Sequence, residues 1–419
     1  MLEREVTIES IAAGGDGLAF IELEGRRRAV FVSDAAPGDR LTVTLDPRER
    51  TLRGTLQQVI ASGPSRITPE CPHATECGGC NWMHLSFDAH AEIIPSLLQS
   101  AIRNAPAVQF HAAIQRAESR TRARLHIEGP SVGFYAKRSH AIVVPTRCMV
   151  LHPALEYVRS QLHLWLKGAR GSGEANLALG HPGLDPRPVV LTLDWKGEVG
   201  PMLALERVVT SGALRGAAIR HDGTTKPTIM GDPTPWVLGA DGLPLQLGVG
   251  GFAQATETAN TQLVKRVAYW ANALMGQGER RVVELYAGAG NLTTLLAKEA
   301  LDYVLVESDA EACNAAQLNM KARGLAARVI HADAEAFEWK TSTRLLVVDP
   351  PRTGALEVMK RLAARPVRHV LYVSCDPSTL ARDVAILIDR GYELRALEAF
   401  EMFPYTSHFE ALAVLTRKR

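Results

Sequence analysis

The chain has 419 residues, 46% of them hydrophobic, and a formal net charge of +2, which is typical of a globular protein with two or three domains. It contains no run of about 18 apolar residues, which excludes a transmembrane helix. The first five residues are mostly charged and lack the apolar stretch of a signal peptide, so we expect a cytoplasmic protein with no membrane partner.

Residues 1–62 predict a small β-barrel of the oligonucleotide-binding kind, because short strand-like runs alternate with glycine-containing turns. The predicted strands include residues 5–8, 28–32, 41–45 and 55–60. Eight arginines and ten acidic residues make this region slightly negative, so RNA contact would require a local basic face such as residues 26–28. The alternative is a barrel that only packs against its neighbour.

Residues 63–245 form a central α+β region with a predicted helix at 89–101 and a basic segment. Between Arg103 and Arg147 there are eight lysine and arginine residues but only two glutamates, with Phe134 and Tyr135 among them. Clustered cations interleaved with aromatic side chains are typical of a surface that binds nucleic-acid phosphates. A solvated charged face is the alternative.

Four of the six cysteines predict a metal site in this central region. Cys71, Cys77 and Cys80 lie within ten residues, and Cys148 follows after a long gap. Disulfides are rare in a cytosolic protein, so such clustering indicates a metal. Four thiolates hold either a [4Fe–4S] cluster or a tetrahedral zinc ion, and the spacing alone leaves both open. Free structural thiols are the remaining alternative.

Residues 246–419 alternate predicted strands and helices, which indicates a parallel, doubly wound α/β sheet of the Rossmann-like kind. The strand at 281–285 is followed by a glycine-containing turn, 286–291. The next strand ends at Glu307, whose carboxylate we expect to accept bonds from ribose hydroxyls. After a third strand, Asp333 is placed to bond an adenine amino group.

The glycine-containing turn favours S-adenosylmethionine as the cofactor. A nicotinamide cofactor would require a longer glycine motif and a helix that cradles its pyrophosphate. S-adenosylmethionine carries no phosphate, and the short turn with Tyr286, Gly288 and Asn291 suits it better.

Two further strand ends carry reactive side chains. Asp349 follows an apolar run and precedes two prolines, which aim its carboxylate into the same crevice. Cys375 stands between a predicted strand at 369–373 and a helix that we expect to begin with Asp376 as N-cap and Pro377 in the first turn. The helix macrodipole is expected to favour the Cys375 thiolate.

These motifs resemble those of the RNA (uracil-5-)-methyltransferase family. The match also includes the segment 403–410 (FPYTSHFE) and the four cysteines, in the family's order over most of the chain. The resemblance implies that Cys375 adds to carbon 6 of uracil and that Glu410 removes the proton from carbon 5. It also implies that Gln254 and Asp349 lie near the methyl donor.

The resemblance further implies a [4Fe–4S] cluster on the four cysteines and an N-terminal domain similar to the TRAM domain of many RNA-modifying enzymes. The chain departs from the family's usual residues at Glu284, Ala287 and Glu401. The combination looks most like the enzymes that methylate a uridine of 23S ribosomal RNA, and we expect a monomer. The alternatives are the same chemistry on the T-loop of transfer RNA, or a non-catalytic RNA-binding or assembly factor.

Two other enzyme classes fit less well. A cytosine carbon-5 methyltransferase would be expected to carry a Pro-Cys pair, whereas Ser374 precedes Cys375 here. A radical iron–sulfur enzyme would be expected to have three cysteines with a shorter first spacing and no fourth cysteine ligand.

Overall fold

The computed structural model describes residues 1–276 and 280–418; residue 419, the expected end of the third domain, lies outside these ranges. The described residues form three large sheets and one two-stranded ribbon. The strands are β1 (Leu2–Thr7), β2 (Ser10–Ile11), β3 (Gly17–Leu23), β4 (Arg26–Val32), β5 (Arg40–Leu45), β6 (Leu52–Ala61), β7 (Val108–His111), β8 (Arg122–Glu128), β9 (Ser131–Tyr135), β10 (Ile142–Val143), β11 (Arg170–Leu179), β12 (Val189–Val199), β13 (Gly216–His221), β14 (Thr228–Gly231), β15 (Trp236–Leu238), β16 (Pro244–Gln246), β17 (Arg281–Leu285), β18 (Asp302–Glu307), β19 (Ala327–His331), β20 (Leu345–Val348), β21 (His369–Ser374), β22 (Tyr392–Phe400) and β23 (Glu410–Arg417). The α-helices are α1 (Phe87–Ala101), α2 (Pro153–Trp165), α3 (Met202–Thr210), α4 (Glu257–Leu274), α5 (Thr293–Leu296), α6 (Ala310–Ala322), α7 (Leu356–Ala364) and α8 (Pro377–Ile388).

The first sheet has six strands in the order β1-β5-β6-β4-β3-β2. The four predicted strands of this region correspond to β1, β4, β5 and β6. Alternate residues of the strands, such as Leu41 and Val43, point into one apolar core.

The second sheet has seven strands in the order β10-β9-β8-β11-β12-β13-β14. Helices α2 and α3 cover it, because Leu155, Leu162 and Leu205 share one buried cluster with Leu177 and Leu191 of the sheet. The basic segment supplies β8, β9 and the turns beside them.

The third sheet has eight strands in the order β19-β18-β17-β20-β21-β23-β22-β7. The strands β19, β18, β17, β20 and β21 are parallel, as predicted. The expectation of a parallel sheet is wrong for β23, which lies antiparallel between β21 and β22. A short connection joins β22 to β23, and a short connection joins neighbouring strands only when they run in opposite directions.

Helices cover both faces of the eight-stranded sheet. Residues of α1, α7 and α8 pack with Val283 and Val348 on one face, and residues of α4 and α6 pack with Val282 and Val347 on the other. The parallel strands are therefore buried on both sides, which explains their continuous apolar runs. From β17 the chain adds β18 and β19 on one side, and it then returns to add β20 and β21 on the other side. At such a switch in strand order, the carboxyl ends of the two central strands, β17 and β20, border a crevice.

Two elements of the expected central region belong to this third sheet. Strand β7 pairs with β22, and α1 packs into the same core as α8. The predicted boundary at residue 245 stays a prediction. Among the described residues, no helix has the length and apolar character needed to span a bilayer.

A buried carboxylate joins α4 to the eight-stranded sheet. Glu398 of β22, 1% exposed, accepts bonds from Arg266 at 2.6 and 2.8 Å and from the Trp270 ring at 2.6 Å. The ring of His111 lies 2.7 Å from its second oxygen. Burial alone would raise the pKa of Glu398, but the bonds from His111, Arg266 and Trp270 outweigh it and lower the pKa to about 2.

We predict that Glu398→Gln lowers the free energy of unfolding by about 2 kcal/mol at neutral pH, because the half-buried Arg266 loses its counter-charge and the bonds to the buried side chain become weaker. The folded pKa lies below the unfolded value, so this stabilisation is present above about pH 4.5 and is lost as the pH falls towards 2. Urea unfolding of the wild type and variant between pH 7 and pH 3 measures the difference. The control is Glu393→Gln, which removes an exposed ion pair with Arg395 and is expected to change the free energy of unfolding little. A difference between wild type and Glu398→Gln that stays constant with pH would contradict the prediction.

Candidate active site

Cys375 lies between β21 and α8, as the sequence predicts. Asp376 is the N-cap of α8, and its carboxylate accepts bonds from the amides of Ser378 and Thr379, both at 2.9 Å. Pro377 is the first helical residue. The half-buried Cys375 is thereby held at the carboxyl edge of the sheet.

The register of β21 and β23 brings Cys375 and Glu410 together. Ser374 lies opposite Ala411 in this antiparallel pair. Because the strands run in opposite directions, the residue after Ser374, Cys375, faces the residue before Ala411, Glu410. On the other side of β21, β20 runs parallel and ends immediately before Asp349. A thiol and two carboxyl groups therefore share one edge of three adjacent strands.

The two carboxyl groups are strongly desolvated. Glu410 is 3% exposed, and its Oε2 has no hydrogen-bond partner among the described residues. Burial, and then the nearby Asp349, raise the pKa of Glu410 well above its ordinary value, although Arg352 acts in the opposite direction. Burial also raises the pKa of Asp349. Two close carboxyl groups in such a site share protons and do not both ionise easily.

Burial outweighs the helix dipole at Cys375. Desolvation, and then the Glu410 carboxyl group, raise the pKa of the thiol to about 11; Arg352 lowers it and Asp349 raises it further. The sequence analysis considered only the helix dipole and did not predict this desolvation, and the contribution of the dipole itself stays a prediction. A proton acceptor or a bound substrate has to supply the remaining stabilisation.

The glycine-containing turn after β17 is tied to the end of β18. Glu307 Oε2 accepts a bond from the Gly288 amide at 2.9 Å, and its Oε1 accepts bonds from the amides of Ser308 and Asp309 at 2.7 and 2.8 Å. Tyr286, at the start of the turn, has φ of +60°, a conformation that costs energy for a non-glycine residue and is frequent at functional sites.

Two other predicted residues of the cofactor site have buried polar atoms without partners among the described residues. Gln254 Oε1 and Tyr286 Oη are buried and lack a hydrogen-bond partner within the described part of the chain. Burial, and then the carboxylates of Glu335 and Asp333, raise the pKa of Tyr286 to about 12, so Asp333 lies near the tyrosine. The exposed Asp333 carboxylate accepts a bond from the Glu335 amide at 2.8 Å. Buried polar atoms without partners are uncommon and indicate places where a ligand or water completes the bonding.

The site includes residues that the sequence analysis did not predict. Asn291 exchanges two side-chain bonds, of 2.8 and 2.9 Å, with Asn260 of α4. Below the turn, Glu284 accepts bonds from Thr293 and Tyr303. Burial raises the pKa of Glu284 to about 7, although these two bonds lower it. The unusual glutamate at position 284 was visible in the sequence, but its partners were not.

Asp383 connects the loop after β20 to α8. Its Oδ2 accepts bonds from the Ala355 amide and the Tyr372 hydroxyl at 2.7 and 2.6 Å, and its Oδ1 accepts a bond from Arg382 at 2.8 Å. Arg382 also donates to the Thr353 carbonyl at 3.0 Å. The sequence signal was an acidic residue on the apolar face of a predicted helix, and such a residue is expected to have buried partners.

The four predicted metal-binding cysteines line one cavity of about 200 Å³ in the central region. Desolvation raises the pKa of Cys77 and Cys148, and that of Cys80 to about 12. Arg120 lines the same cavity, and its Nε has no hydrogen-bond partner in the described ranges. No group of three or more histidine, cysteine or acidic side chains in the described residues is arranged so that it could hold a metal ion.

We predict that Glu410→Gln increases the rate at which iodoacetamide alkylates Cys375 at mildly alkaline pH. The ionised Glu410 carboxylate raises the pKa of the thiol, and its removal allows the thiolate to form at lower pH. Mass spectrometry of the Cys375 peptide measures the rate as a function of pH. Glu357→Gln, at an exposed site on α7, serves as the control, and an unchanged pH profile in Glu410→Gln would show that the two groups do not interact.

Comparisons with known proteins give one consistent result. A family model described as tRNA (Uracil-5-)-methyltransferase matches residues 327–418, and one described as Methyltransferase small domain matches residues 266–370. The chain is 30% identical to the 23S rRNA (uracil(1939)-C(5))-methyltransferase RlmD of Photorhabdus laumondii, over 98% of this chain and 96% of the relative. It is 32% identical to the protein of the same name from Halomonas elongata, over 98% of this chain and 89% of that relative.

The fold also matches a solved structure over nearly its whole length. The tRNA (uracil-54, C5)-methyltransferase of Pyrococcus abyssi, solved with S-adenosyl-L-homocysteine, superposes with a TM-score of 0.78. The match covers 99% of this chain and 100% of that one, at 21% identity. It shows that the two chains share a fold.

Proposed function

Because the chain belongs to the RNA (uracil-5-)-methyltransferase family, we propose that it methylates carbon 5 of a uridine in 23S ribosomal RNA, with S-adenosylmethionine as the methyl donor. The relatives at 30% and 32% identity act on that RNA by name. The observation that carries the proposal is the position of the buried Glu410 opposite Cys375, with one carboxylate oxygen that has no hydrogen-bond partner among the described residues. Cys375 and Glu410 thus place a nucleophile and a base at the ends of two adjacent strands.

Cys375 and Glu410 have different tasks in the proposed reaction. Cys375 adds to carbon 6 of the uracil, which turns carbon 5 into a nucleophile. S-adenosylmethionine, when bound, supplies the methyl group that carbon 5 accepts. Glu410 then removes the proton from carbon 5, so that the carbon 5–carbon 6 double bond re-forms and the Cys375 sulfur leaves. The raised pKa of Glu410 supports this role, since a carboxylate with an ordinary pKa is a weak base at neutral pH.

The residues at the carboxyl ends of β17 to β20 fit the methyl donor. Three backbone amides fix the Glu307 carboxylate at the glycine-containing turn, the place where an acidic residue bonds ribose hydroxyls in such sheets. Gln254 and Tyr286 offer buried polar atoms that lack partners among the described residues. We assign Gln254, Tyr286, Gly288, Asn291, Glu307, Asp333 and Asp349 to cofactor binding.

The proposed RNA contact involves a cleft between the first two sheets. This cleft, of about 550 Å³, is lined by four cations, by two acids and by the aromatic pair His126 and Tyr135, whose rings stack at 3.5 Å. The cations are Arg53, Arg124, Lys137 and Arg138, and the acids are Asp16 and Asp34. The excess of cations favours phosphate contact, although Arg53, Lys137 and Arg138 also form ion pairs with the two acids.

The proposed architecture has three domains: a TRAM-like barrel at 1–62, a central iron–sulfur domain at 63–245 and a methyltransferase domain at 246–419. The six-stranded sheet supports the first assignment, and the crevice of the eight-stranded sheet supports the third. That the protein acts as a monomer in the cytoplasm stays a prediction.

We predict that Cys375→Ala abolishes methyl transfer and that Glu410→Gln accumulates a covalent protein–RNA adduct. Without Cys375 the carbon 5 nucleophile does not form, whereas without the base the adduct cannot expel the sulfur. The assay uses labelled S-adenosylmethionine and total RNA from a strain that lacks the gene, and denaturing gels detect the adduct. Nuclease digestion and mass spectrometry locate the product.

The position of the product distinguishes the candidate substrates. One 5-methyluridine in 23S ribosomal RNA supports the proposal. The same product in transfer RNA would move the activity to the T-loop, which the family model for residues 327–418 keeps as the second candidate. Absence of 5-methyluridine from all RNA would contradict the enzyme assignment.

We also predict that Cys71, Cys77, Cys80 and Cys148 bind a [4Fe–4S] cluster. The observation in favour is that all four thiols line one largely apolar cavity, where a cluster is shielded from solvent; against it, no three of the described side chains form a group that could hold a metal ion. Anaerobically purified protein is expected to contain about four iron and four sulfide ions per chain, and Cys80→Ser to lose them. Cys313→Ser, whose thiol is buried elsewhere, is the matched control. Stoichiometric zinc without iron would contradict the prediction.

A further inference from the structure

The loop between β22 and β23 delivers Glu410 to the site, and a distant residue holds this loop. Asn81 Nδ2 donates to the Ser407 hydroxyl at 3.0 Å, and the Ser407 amide donates to Asn81 Oδ1, also at 3.0 Å. The two residues lie 326 positions apart. This paired contact fixes both the backbone and the side chain three residues before Glu410.

Contacts beside Asn81 hold the same loop. The Trp82 amide donates to the Tyr405 carbonyl at 2.9 Å, and the Trp82 ring donates to the Gly15 carbonyl at 2.9 Å. Gly15 has φ of +88°, and a Cβ atom there would lie 2.6 Å from the Ser407 side chain. The N-terminal turn therefore closes over the loop at a position where no larger residue fits.

The loop also packs against the four-cysteine cavity. Tyr405, with φ of +65°, belongs to the same small apolar cluster as Cys71, Cys80 and Cys148. Asn81 directly follows Cys80. The position of Asn81 is thus determined by the segment that carries three of the four cysteines.

We propose that Asn81 is a positioning residue for the methylation reaction: through Ser407 it holds the 403–409 loop so that the Glu410 carboxylate faces carbon 5 of the bound uracil. The inference rests on the proposed function and extends it, since it makes the geometry of the base depend on the cysteine-bearing segment. Both hydrogen bonds of the Asn81 side chain go to Ser407, and Asn81 also lines the cleft that we assign to RNA contact.

The reaction gives this role a specific signature. After methyl transfer, carbon 5 carries both the new methyl group and its original hydrogen. The electrons of the carbon–hydrogen bond must form the carbon 5–carbon 6 double bond as the base takes the proton, and the carbon 6–sulfur bond then breaks to give the Cys375 thiolate. A displaced Glu410 slows this last step and leaves the earlier addition intact, so the methylated adduct persists.

The test compares Asn81→Ala, Asn81→Asp and wild type with ribosomal RNA as the substrate. For Asn81→Ala we expect kcat to fall about ten- to hundredfold, a larger change than that of the KM for RNA, with covalent adduct visible on denaturing gels. Hydrogen exchange of the 403–410 backbone is expected to increase while that of β21 does not. Asn81→Asp is expected to restore turnover, because the Ser407 hydroxyl can turn to donate to the carboxylate.

Controls separate this role from a general loss of structure. Thr75→Ala changes an exposed side chain in the same cysteine-bearing segment and is expected to behave as wild type in every assay. The iron content of each variant is measured in parallel. The proposal is overturned if Asn81→Ala forms no adduct and turns over like Thr75→Ala, or if kcat falls only in proportion to lost iron. If wild-type protein methylates no RNA, the proposed function fails, whereas the hydrogen-exchange result still tests the contact.

Discussion

The insertion of β23 between β21 and β22 is the constraint on which the candidate site depends. A strand that enters the sheet antiparallel begins at the edge where its parallel neighbours end. Its first residue, Glu410, therefore lies beside the residue that follows β21, Cys375. A parallel strand at this place would have carried its first residue to the opposite edge, about 20 Å away for a strand of six residues.

The same packing that positions these groups also removes them from water. Both faces of the eight-stranded sheet are covered by helices, so the groups at its carboxyl edge lie in a region of low polarity. Desolvation is the largest influence on the pKa values of Cys375, Glu410 and Asp349, and it raises all three. The packing that brings the three groups together is thus also the cause of their raised pKa values.

Rigid support of the site comes from buried polar contacts between segments that are distant in the chain. Asp383 holds the loop after β20 against α8, and Glu401 at the end of the β22 strand is 2.9 Å from the buried ring of His90 in α1. Asn81 holds the loop before Glu410. Each of these groups would be costly to bury alone, so each contact forms only when the partner segment is in place. The first 120 residues are consequently part of the support for chemistry near residue 400.

Local sequence patterns determined the features that depend on near neighbours. Apolar runs and capping residues predicted the strands ending near Glu307 and Cys375 and the start of α8, because these depend on side-chain periodicity and on short-range bonds to the backbone. The direction of β23, the raised pKa of the Cys375 thiol and the contact of Asn81 with Ser407 were decided only by the tertiary structure. They depend on which strands become neighbours, on how much water packing excludes, and on pairings across hundreds of residues, none of which leaves a periodic signal in the sequence.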